Sequence, residues 1–542
     1  MVETRFVPPV TQPHSRLHGC WFPAVAAETF EGWKQIGVKG KQASRSCGDL
    51  QALRMVWSTP DAPKKQPEVD TVQPAPGSSP FERLPIEIKN EIIDHLVLDI
   101  PPDGFSSRNA DLMAMLLTSR TLHSATLNAL YRNITIPHSR IFKKFLAHLS
   151  QNPELGTIVR RLDFSHFNPT SLFTTASERA TTRNLTHETL LQCLELTPYL
   201  REFLAQEYVG EDIDVHVLRK LLFGLERLQG LDFCGCSAAP FKAAFEEILA
   251  DEWPQMLSVS RLSLHRCINL PSEAFEALLP RLTKLTHLDV AGTRVTDKAL
   301  LSIPHTARIT HLNLAKCKYL TSGAIIDFLT NHPAVKELVY LNLASDCRSY
   351  ELLDEEDLSR LIPVLPSTLC SLSLKGSKMN SSHMDMLRPL TKHLEELSLG
   401  RRLKVDDINR LFMPDNDMEQ VDWVPHTLKY LDLSDYAGAS LNWSSVLSNN
   451  SLVGRHTAPL EVIEIAEDVY TRLSRPPGIK RAGWTAKEFG SRAWLVRYPD
   501  GVRDLGYRDW KMGAAFWGMR KVPVAISNVG GMYGSYMFKR NL

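Results

Sequence analysis

The chain has 542 residues, of which 62 are Lys or Arg and 61 are Asp or Glu, so its formal net charge is +1. Charged residues make up 23% and hydrophobic residues 43%, which excludes a chain disordered throughout, a collagen-like chain and a bundle of membrane helices. The balanced charge gives no global argument for binding nucleic acid or acidic lipid. At about 150 residues per domain, the length predicts three or four domains.

The cysteines and the N-terminus indicate a reducing compartment. Nine cysteines, an odd number, are spread along the chain and do not form the dense pattern of a small secreted disulfide framework. The first twenty residues hold prolines and Glu3 where a signal peptide has an apolar run, and no segment reaches about 18 consecutive apolar residues. We expect the cytosol, the nucleus or both.

Residues 1–80 have the composition of a disordered tail with a proline-rich linker. Six prolines lie from Pro60 to Pro80, in a stretch with few apolar residues to offset the entropy of ordering the chain. The composition changes abruptly after this segment, which marks the first predicted domain boundary.

Residues 81–137 predict a small unit of three helices. Apolar side chains recur every four residues from Leu84 to Leu96, the spacing of one helix face, and Pro101 follows as a helix-ending residue. A second helix is expected to start near Asp111 and a third to follow Thr121. Fewer than about 60 residues make a small core, so we expect a partner or a neighbouring domain to cover the remaining apolar faces.

The motifs in this segment resemble an F-box, most closely that of fungal proteins. They open with Leu-Pro-x-Glu-Ile at 84–88 and end with Leu-Tyr-Arg at 130–132. In that family the three helices dock on the Skp adaptor, which connects them to a cullin scaffold of a ubiquitin ligase. The alternative is a helical cap on the next domain. The resemblance implies that the adaptor-binding positions are Leu84, Pro85, Ile88, Ile92, Leu96, Leu116, Leu117, Arg120 and Leu122.

Residues 138–475 repeat a Leu-x-Leu pattern flanked by hydrophobic residues. Successive copies are 24 to 34 residues apart, with a mean of about 29, which is the leucine-rich-repeat period. The two leucines point inward because strand side chains alternate, and helical stretches separate the copies. About eleven such units predict an α/β solenoid, a leucine-rich-repeat horseshoe with its strands on the concave side. The clearest anchors are Leu231, Leu262, Leu288, Leu312, Leu341, Leu372, Leu397 and Leu431.

Three cysteines share one position of the repeat. Cys236, Cys267 and Cys317 stand where Thr293 and Ser377 stand in other copies. A small inward polar group there can bond to buried backbone in the turn after the strand, so these are predicted structural thiols and not metal ligands. The Cys-x-x-Leu spacing resembles the cysteine-containing repeats of F-box proteins.

Residues 476–542 are basic and aromatic, with 12 Lys or Arg against 4 Asp or Glu. We interpret the segment as a cap over the open edge of the last repeat, with strand cores at 494–496 and 524–526. Trp484, Trp494, Trp510 and Trp517 alternate with basic residues, so a nucleic-acid surface or a protein contact remains an alternative.

The chain holds no recognisable catalytic motif. A zinc-binding H-E-x-x-H helix, a G-x-S-x-G elbow and a phosphate loop are missing, so we expect neither a catalytic residue nor a metal or other cofactor. Strand residues beside the inward leucines would line a flat, polar concave face that could bind an extended protein segment carrying basic groups. The candidate positions are His265, His287, Asp289, His311, Asn313, Tyr340, Asn342, Lys375, Tyr430 and Asp432.

These patterns favour a non-catalytic substrate-recognition subunit of a Skp-cullin-F-box ubiquitin ligase. The helical unit would bind the Skp adaptor with its cullin, and the repeats would bind a protein target for ubiquitination and proteasomal degradation. One alternative is a repeat scaffold that resembles the Ran GTPase-activator horseshoes and has no ubiquitin role. Another is nucleic-acid binding through the basic C-terminal segment. No membrane partner is expected.

Overall fold

The computed structural model describes residues 79–98, 109–136, 138–164, 167, 184–205, 207–345, 351–412, 425–436, 446, 452–466, 469–471, 478–489 and 492–497. Most of the predicted tail, Pro101, and the C-terminal segment beyond residue 497, with its expected strand at 524–526, lie outside the described residues. The chain divides after Leu130 into two compact units. Among the described helices, none is long and apolar enough to cross a membrane.

Within its described residues, the first unit contains three helices, α1 (Ile86–Leu98), α2 (Asn109–Met115) and α3 (Arg120–Arg132), the last of which continues into the second unit. The Ser119 hydroxyl accepts a hydrogen bond from the Leu122 amide at 3.3 Å and so caps the start of α3. A compact core forms where the three helices meet, one residue from each: Ile93, Leu112 and Ala125. The three helices expected from the sequence are therefore present.

The second unit is an α/β fold built on a fourteen-stranded sheet. Its first twelve strands are parallel and lie side by side in chain order, and the last two form an antiparallel hairpin whose second strand pairs with the twelfth. The strands are β1 (Asn133–Thr135), β2 (Arg161–Asp163), β3 (Glu202–Leu204), β4 (Gly230–Asp232), β5 (Arg261–Ser263), β6 (His287–Asp289), β7 (His311–Asn313), β8 (Tyr340–Asn342), β9 (Ser371–Ser373), β10 (Glu396–Ser398), β11 (Tyr430–Asp432), β12 (Val462–Ile465), β13 (Trp484–Phe489) and β14 (Arg492–Arg497).

Helices connect most of the parallel strands. Threonines begin three of them, since the hydroxyls of Thr186, Thr296 and Thr321 accept hydrogen bonds from the amides of Thr189, Ala299 and Ala324. The helices are α4 (Ser139–Gln151), α5 (Pro153–Gly156), α6 (His187–Leu196), α7 (Val215–Phe223), α8 (Ala239–Ile248), α9 (Ser272–Leu278), α10 (Asp297–Leu301), α11 (Ser322–Asn331), α12 (Glu355–Leu361), α13 (Ser381–Leu387), α14 (Val405–Asn409) and α15 (Gly478–Arg481).

The leucine anchors of the repeats form one continuous buried row. Each anchor from Leu231 to Leu431 pairs in register with the anchor of the next strand, and all are buried. The row continues to Leu162 and Phe203 on one side and to Ile463 on the other. Because side chains alternate along a strand, the residue between the two leucines of each Leu-x-Leu copy lies on the opposite face of the sheet. The curvature of a horseshoe stays a prediction.

A left-handed residue recurs in the turn after the strands, four positions beyond the anchor. It is Gly292 or Gly376 in some units, but Arg266 and Lys316 adopt it with φ of 57°. At Gly376 a Cβ atom would lie 2.4 Å from the backbone oxygen of Ser345, so glycine is required there. This turn directs the following residue inward, which places the repeat cysteines in the core.

The thiols at this position bond to backbone oxygens. All three repeat cysteines are buried. Cys267 donates from Sγ to the oxygen of Phe233 at 3.0 Å, and Cys317 donates to that of Val290 at 3.1 Å. In both cases the acceptor belongs to the preceding unit, so the thiol connects two neighbouring repeats.

Candidate functional site

The helical unit exposes large apolar side chains. Ile88 is 42% exposed and Ile92 is 41% exposed on α1, and Leu117, just after α2, is 88% exposed. Ile86 and Met113 are exposed as well. We call these five residues the apolar helical face. Burying exposed apolar area contributes about 25 cal/mol per Å² to the free energy of association. These side chains therefore mark a surface suited to a protein contact.

The predicted adaptor positions divide between this face and the core. The regular apolar spacing of α1 leads to two different environments: Ile93 packs in the core, whereas Ile88 and Ile92 point away from it. Leu122 is half-buried and packs against the core, so it also supports the fold. Of the nine positions, Pro85, Ile88, Ile92, Leu117 and Arg120 are exposed, and Leu84, Leu96, Leu116 and Leu122 are half-buried.

The other candidate surface is the side of the sheet opposite the leucine anchors, which we call the sheet face. All ten candidate substrate positions lie on strands β6–β8 or β11, or just after β5 and β9. Five of them have buried side chains, so only part of the predicted set is accessible to a partner. The buried ones are Asp289, Asn313, Tyr340, Tyr430 and Asp432, and the half-buried ones are His265, His287, His311, Asn342 and Lys375.

Two histidines stack at the centre of the sheet face. His287 and His311 pair in register on β6 and β7, and their rings lie 4.2 Å apart at an angle of 7°. Tyr340 continues the stack at 6.0 Å from His311. Burial, then repulsion from His311 and Arg261, lowers the pKa of His287 to about 3, so its ring is neutral at physiological pH. The stack therefore presents an aromatic surface in which the His287 ring carries no charge at physiological pH.

The central row of polar residues on the sheet face closes the turn after each strand. In five units an Asp or Asn oxygen accepts a hydrogen bond from the backbone amide two residues later, at 2.8–3.1 Å. Such side chain-to-backbone bonds mimic a backbone turn. The five acceptors are Asp232, Asp289, Asn313, Asn342 and Asp432. The sequence analysis assigned this row to partner binding and missed that its residues close the turns after the strands. The recurrent Asp or Asn at one position of the repeat is the signal that indicates this role.

Charged residues beside the central row are engaged with each other. His265 Nδ1 lies 3.1 Å from Asp289 Oδ1, and Lys375 Nζ lies 3.6 Å from Asp432 Oδ2. Lys375 also donates to the hydroxyl of Ser434. A basic partner group would therefore compete with His265 at Asp289 and with Lys375 at Asp432.

An ion-pair network that the sequence did not indicate lies at the β2–β5 end of the sheet face. The Glu202 carboxylate contacts Arg161 at 3.0 Å and also pairs with Arg261. Gly230 lies between Glu202 and Arg261 in the strand register, and its lack of a side chain leaves room for the two to meet. Arg161 further contacts Asp163 at 3.1 Å.

The described part of the chain holds no group of three or more His, Cys, Asp or Glu side chains that could bind a metal. The sheet face instead offers half-buried polar and aromatic groups spread over many strands. Its arrangement is suited to contact with another macromolecule.

The chain has partial similarity to known proteins. No protein-family model matches the chain. The chain is 32% identical over 223 residues to F-box protein YLR352W of Saccharomyces cerevisiae. That match covers 38% of this chain and 28% of the yeast protein, so the chain spans less than a third of the relative that it matches.

A partial similarity to a solved structure is also found. The chain is similar to one in the crystal structure of the Rad7 and Elc1 complex in yeast, with 15% identity and a TM-score of 0.38. The match covers 66% of this chain and 89% of that one. We draw no argument from a likeness at this level.

Proposed function

We propose that this protein is the substrate-recognition subunit of a Skp-cullin-F-box ubiquitin ligase. The helical unit binds the Skp adaptor, and the second unit binds a protein target that is then ubiquitinated and degraded. The chain itself performs no chemical step. It accelerates ubiquitin transfer by holding the target near the ubiquitin-charged enzyme. On this proposal the second unit is a leucine-rich-repeat horseshoe of the cysteine-containing type, with the sheet face on its concave side.

The apolar helical face is the observation that carries the proposal. Ile88, Ile92 and Leu117 belong to the positions that the F-box motif assigns to the adaptor, and all three are exposed. Among the described residues, the core of the helical unit has one fully buried apolar residue per helix. The unit therefore gains little from its own packing, and a partner that covers these side chains stabilises it. The similarity to a yeast F-box protein supports the same interpretation.

The half-buried residues of the sheet face are the proposed substrate contacts. His287 and His311 present stacked rings, and Asn342 and His265 flank them with polar groups. Large planar groups are favoured at protein interfaces, where they bury much area for little loss of side-chain entropy. Of the buried residues of the candidate set, Asp289, Asn313 and Asp432 hold the turns behind this surface.

Co-purification tests the proposed function. The full chain, expressed with a tagged Skp adaptor, should retain the adaptor, whereas Ile88→Glu combined with Ile92→Glu should lose it. Both residues are exposed, so the exchange leaves the core intact. The matched control is Ile268→Glu in the second unit, where an isoleucine that is 54% exposed lies outside the helical unit. Equal recovery of adaptor with the double variant and the control would refute the proposal.

A further inference from the structure

Four basic side chains lie close together in the turns that follow strands β5, β6 and β7. The Arg266 amide donates to the Ala291 oxygen, and the Gly292 amide donates to the Ala315 oxygen, both at 2.7 Å. Arg266, Gly292 and Lys316 are therefore in register on neighbouring turns about 4.8 Å apart, and the backbones of Arg266 and Lys316 lie about 10 Å apart. Two more basic residues follow two positions later in the turns of β6 and β7. We call this set the basic rim: Arg266, Arg294, Lys316 and Lys318.

The basic rim holds exposed charge that the described part of the chain does not neutralise. All four side chains are exposed, and within the described residues none of them forms an ion pair with an acid. Cations at the equivalent positions after β9 and β10 are paired. Lys378 lies 2.5 Å from the Glu351 carboxylate. Arg401 lies 3.5 Å from that of Asp435. The turns after β5 to β7 thus keep free the charge that later units neutralise.

The backbone conformation of the basic rim is unusual for the residues that occupy it. Arg266 and Lys316 both adopt a left-handed φ of 57°, which a Cβ atom disfavours. Glycine takes this position in three other units, as Gly235, Gly292 and Gly376. The turn therefore does not require an arginine or a lysine. Residues kept in such conformations are concentrated at binding sites, which indicates a use for these two side chains beyond the turn.

Neighbouring units hold the backbone of the basic rim in place. The Ser237 hydroxyl donates to the Arg266 oxygen at 3.0 Å, and the Ser272 hydroxyl donates to the Arg294 oxygen at 3.1 Å. Cys317, between the two lysines, is buried in the core. A ligand that contacts these cations therefore orders side chains but little backbone, which lowers the entropic cost of binding.

An exposed aromatic ring adjoins the charges. Tyr319 directly follows Lys318 in the chain, and its side chain is 55% exposed. Tyrosine is enriched at protein–protein interfaces, where its ring buries apolar area and its hydroxyl stays available for a hydrogen bond. The basic rim and Tyr319 together combine charge with an apolar contact.

We propose that the basic rim binds an extended, acidic segment of a protein partner through separate carboxylate side chains. An extended chain rises about 3.3 Å per residue, so two acids three residues apart match the spacing of Arg266 and Lys316. Gly292 lies between these two cations and presents no side chain to the segment. The inference goes beyond the proposed ligase role, because the basic rim includes none of the ten candidate substrate positions and its test requires no adaptor.

The arrangement favours carboxylates over a phosphate group or a strand of nucleic acid. Its charges are spread over three turns, whereas basic groups converge on a single phosphate. A nucleic-acid strand is bound along a longer basic track with several stacking rings. The basic rim ends after three turns, because the next residues in register are the uncharged Gly235 and Ser345. The Glu207 side chain also lies beside Gly235, where it would repel a phosphate backbone.

Peptide binding to the full chain tests the inference. The probe is a fluorescent pool of ten-residue peptides with glutamate at positions 4 and 7 and mixed uncharged residues elsewhere. Anisotropy compares it with the same pool carrying glutamine at both positions. The glutamate pool should bind about tenfold more tightly at low salt, the sum of several exposed ion pairs. This preference should shrink as the salt concentration rises, because exposed charges are screened.

The most informative variant is Arg266→Gly with Lys316→Gly. It removes two cations and at the same time relieves the left-handed backbone, so the melting temperature should be no lower than that of the wild type. The preference for the glutamate pool should nevertheless be lost. Arg294→Gln with Lys318→Gln should weaken binding of the glutamate pool in the same way, without any change at the left-handed positions.

Lys284→Gln with Lys336→Gln is the control matched in charge. Both lysines are exposed and precede strands β6 and β8, at the opposite ends of the strands from the basic rim. This variant should keep the preference. The proposal is overturned by equal binding of the two pools, by a preference that survives in the glycine variant, or by an equal loss in the lysine control. Tighter binding of a single-stranded oligonucleotide, or of a pool with one central phosphoserine and the same net charge, would also overturn it.

Discussion

The Sγ atom of Cys317 donates a hydrogen bond to the backbone oxygen of Val290, 3.1 Å away in the preceding strand–helix unit. The same oxygen accepts the hydroxyl of Thr293 at 2.6 Å. A single carbonyl in the turn after β6 is thus bonded by its own unit and by the next one. Small polar side chains at this position of the repeat therefore contribute to the coupling between neighbouring units, on which the stability of stacked repeats depends.

Burial predicts that these thiols do not react in the folded protein. Desolvation raises the pKa of Cys193 and Cys317 to about 12, whereas Cys370 is only half-buried. Because the thiolate is the reactive form, N-ethylmaleimide at mildly alkaline pH should modify Cys370 well before Cys193 or Cys317. Peptide mass spectrometry of the native and the denatured chain measures the order. Modification of Cys317 as fast as that of Cys370 in the native chain would contradict it.

Asp289 is predicted to act through its acceptor oxygen and not through its charge. Its Oδ1 accepts the Ala291 amide at 3.1 Å, and Asn313 makes the equivalent bond one strand later with an amide oxygen. Asp289→Asn should therefore unfold close to the wild-type temperature. Asp289→Ala leaves a buried amide without its partner and should cost about 1 to 2 kcal/mol. Thermal unfolding compares the two, and equal destabilisation by both exchanges would show that the charge matters instead.

Glu202 is predicted to be the central residue of the ion-pair network. Its carboxylate contacts both Arg161 and Arg261, so Glu202→Ala leaves two partly buried cations without their shared partner. The expected loss is about 2 to 3 kcal/mol in the free energy of unfolding, somewhat less than for a fully buried pair. Urea denaturation measures it. Glu226→Ala, at an exposed glutamate, is the control, and a loss no larger than that of the control would disprove the assignment.

Acid is predicted to destabilise the fold through His426. Its ring is buried, Nδ1 accepts the Leu428 amide at 3.2 Å, and burial with nearby Lys392, His456 and Arg497 lowers its pKa from 6.5 to about 4. The folded state thus binds the proton less readily than the unfolded state. The stability that neutral His426 supports is complete above pH 6.5 and is lost progressively as the pH falls towards 4.

The variant His426→Asn isolates this effect. Asparagine can accept the same amide two residues later but does not titrate. Between pH 7.5 and pH 5, the wild-type chain should lose about 1 to 2 kcal/mol more than the variant, measured by urea denaturation at both values. His287 and His332, whose pKa values are also lowered, remain in both proteins, so their contributions to the loss of stability cancel in the comparison. An identical loss in the two proteins would exclude His426 as the titrating group.

The strands could be predicted from the sequence because their signal is simple and repeated. Leucine at alternate positions fixes which side chains face the core, and the eight anchors from Leu231 to Leu431 indeed lie in register. The neighbouring positions of His287 and His311 follow from the same alternation, and their rings are in contact. Periodicity is sufficient for these features because each depends only on the local pattern.

The sequence did not indicate which polar residues are accessible. Asp289 and His287 both alternate away from the leucines, but the turn after β6 draws Asp289 against the backbone and leaves His287 half-buried.

The affinity of the full chain for the purified Skp adaptor tests the central claim most directly, with Leu117→Glu as the variant and Ile268→Glu as the control. Leu117 is the most exposed large apolar residue of the apolar helical face, at 88%. Burying it in a complex is worth about 2 kcal/mol, and a carboxylate in its place costs more. We predict that Leu117→Glu weakens adaptor binding at least about 30-fold while Ile268→Glu leaves it unchanged. Equal affinities of the two variants, or no adaptor binding by the wild-type chain, would contradict the account.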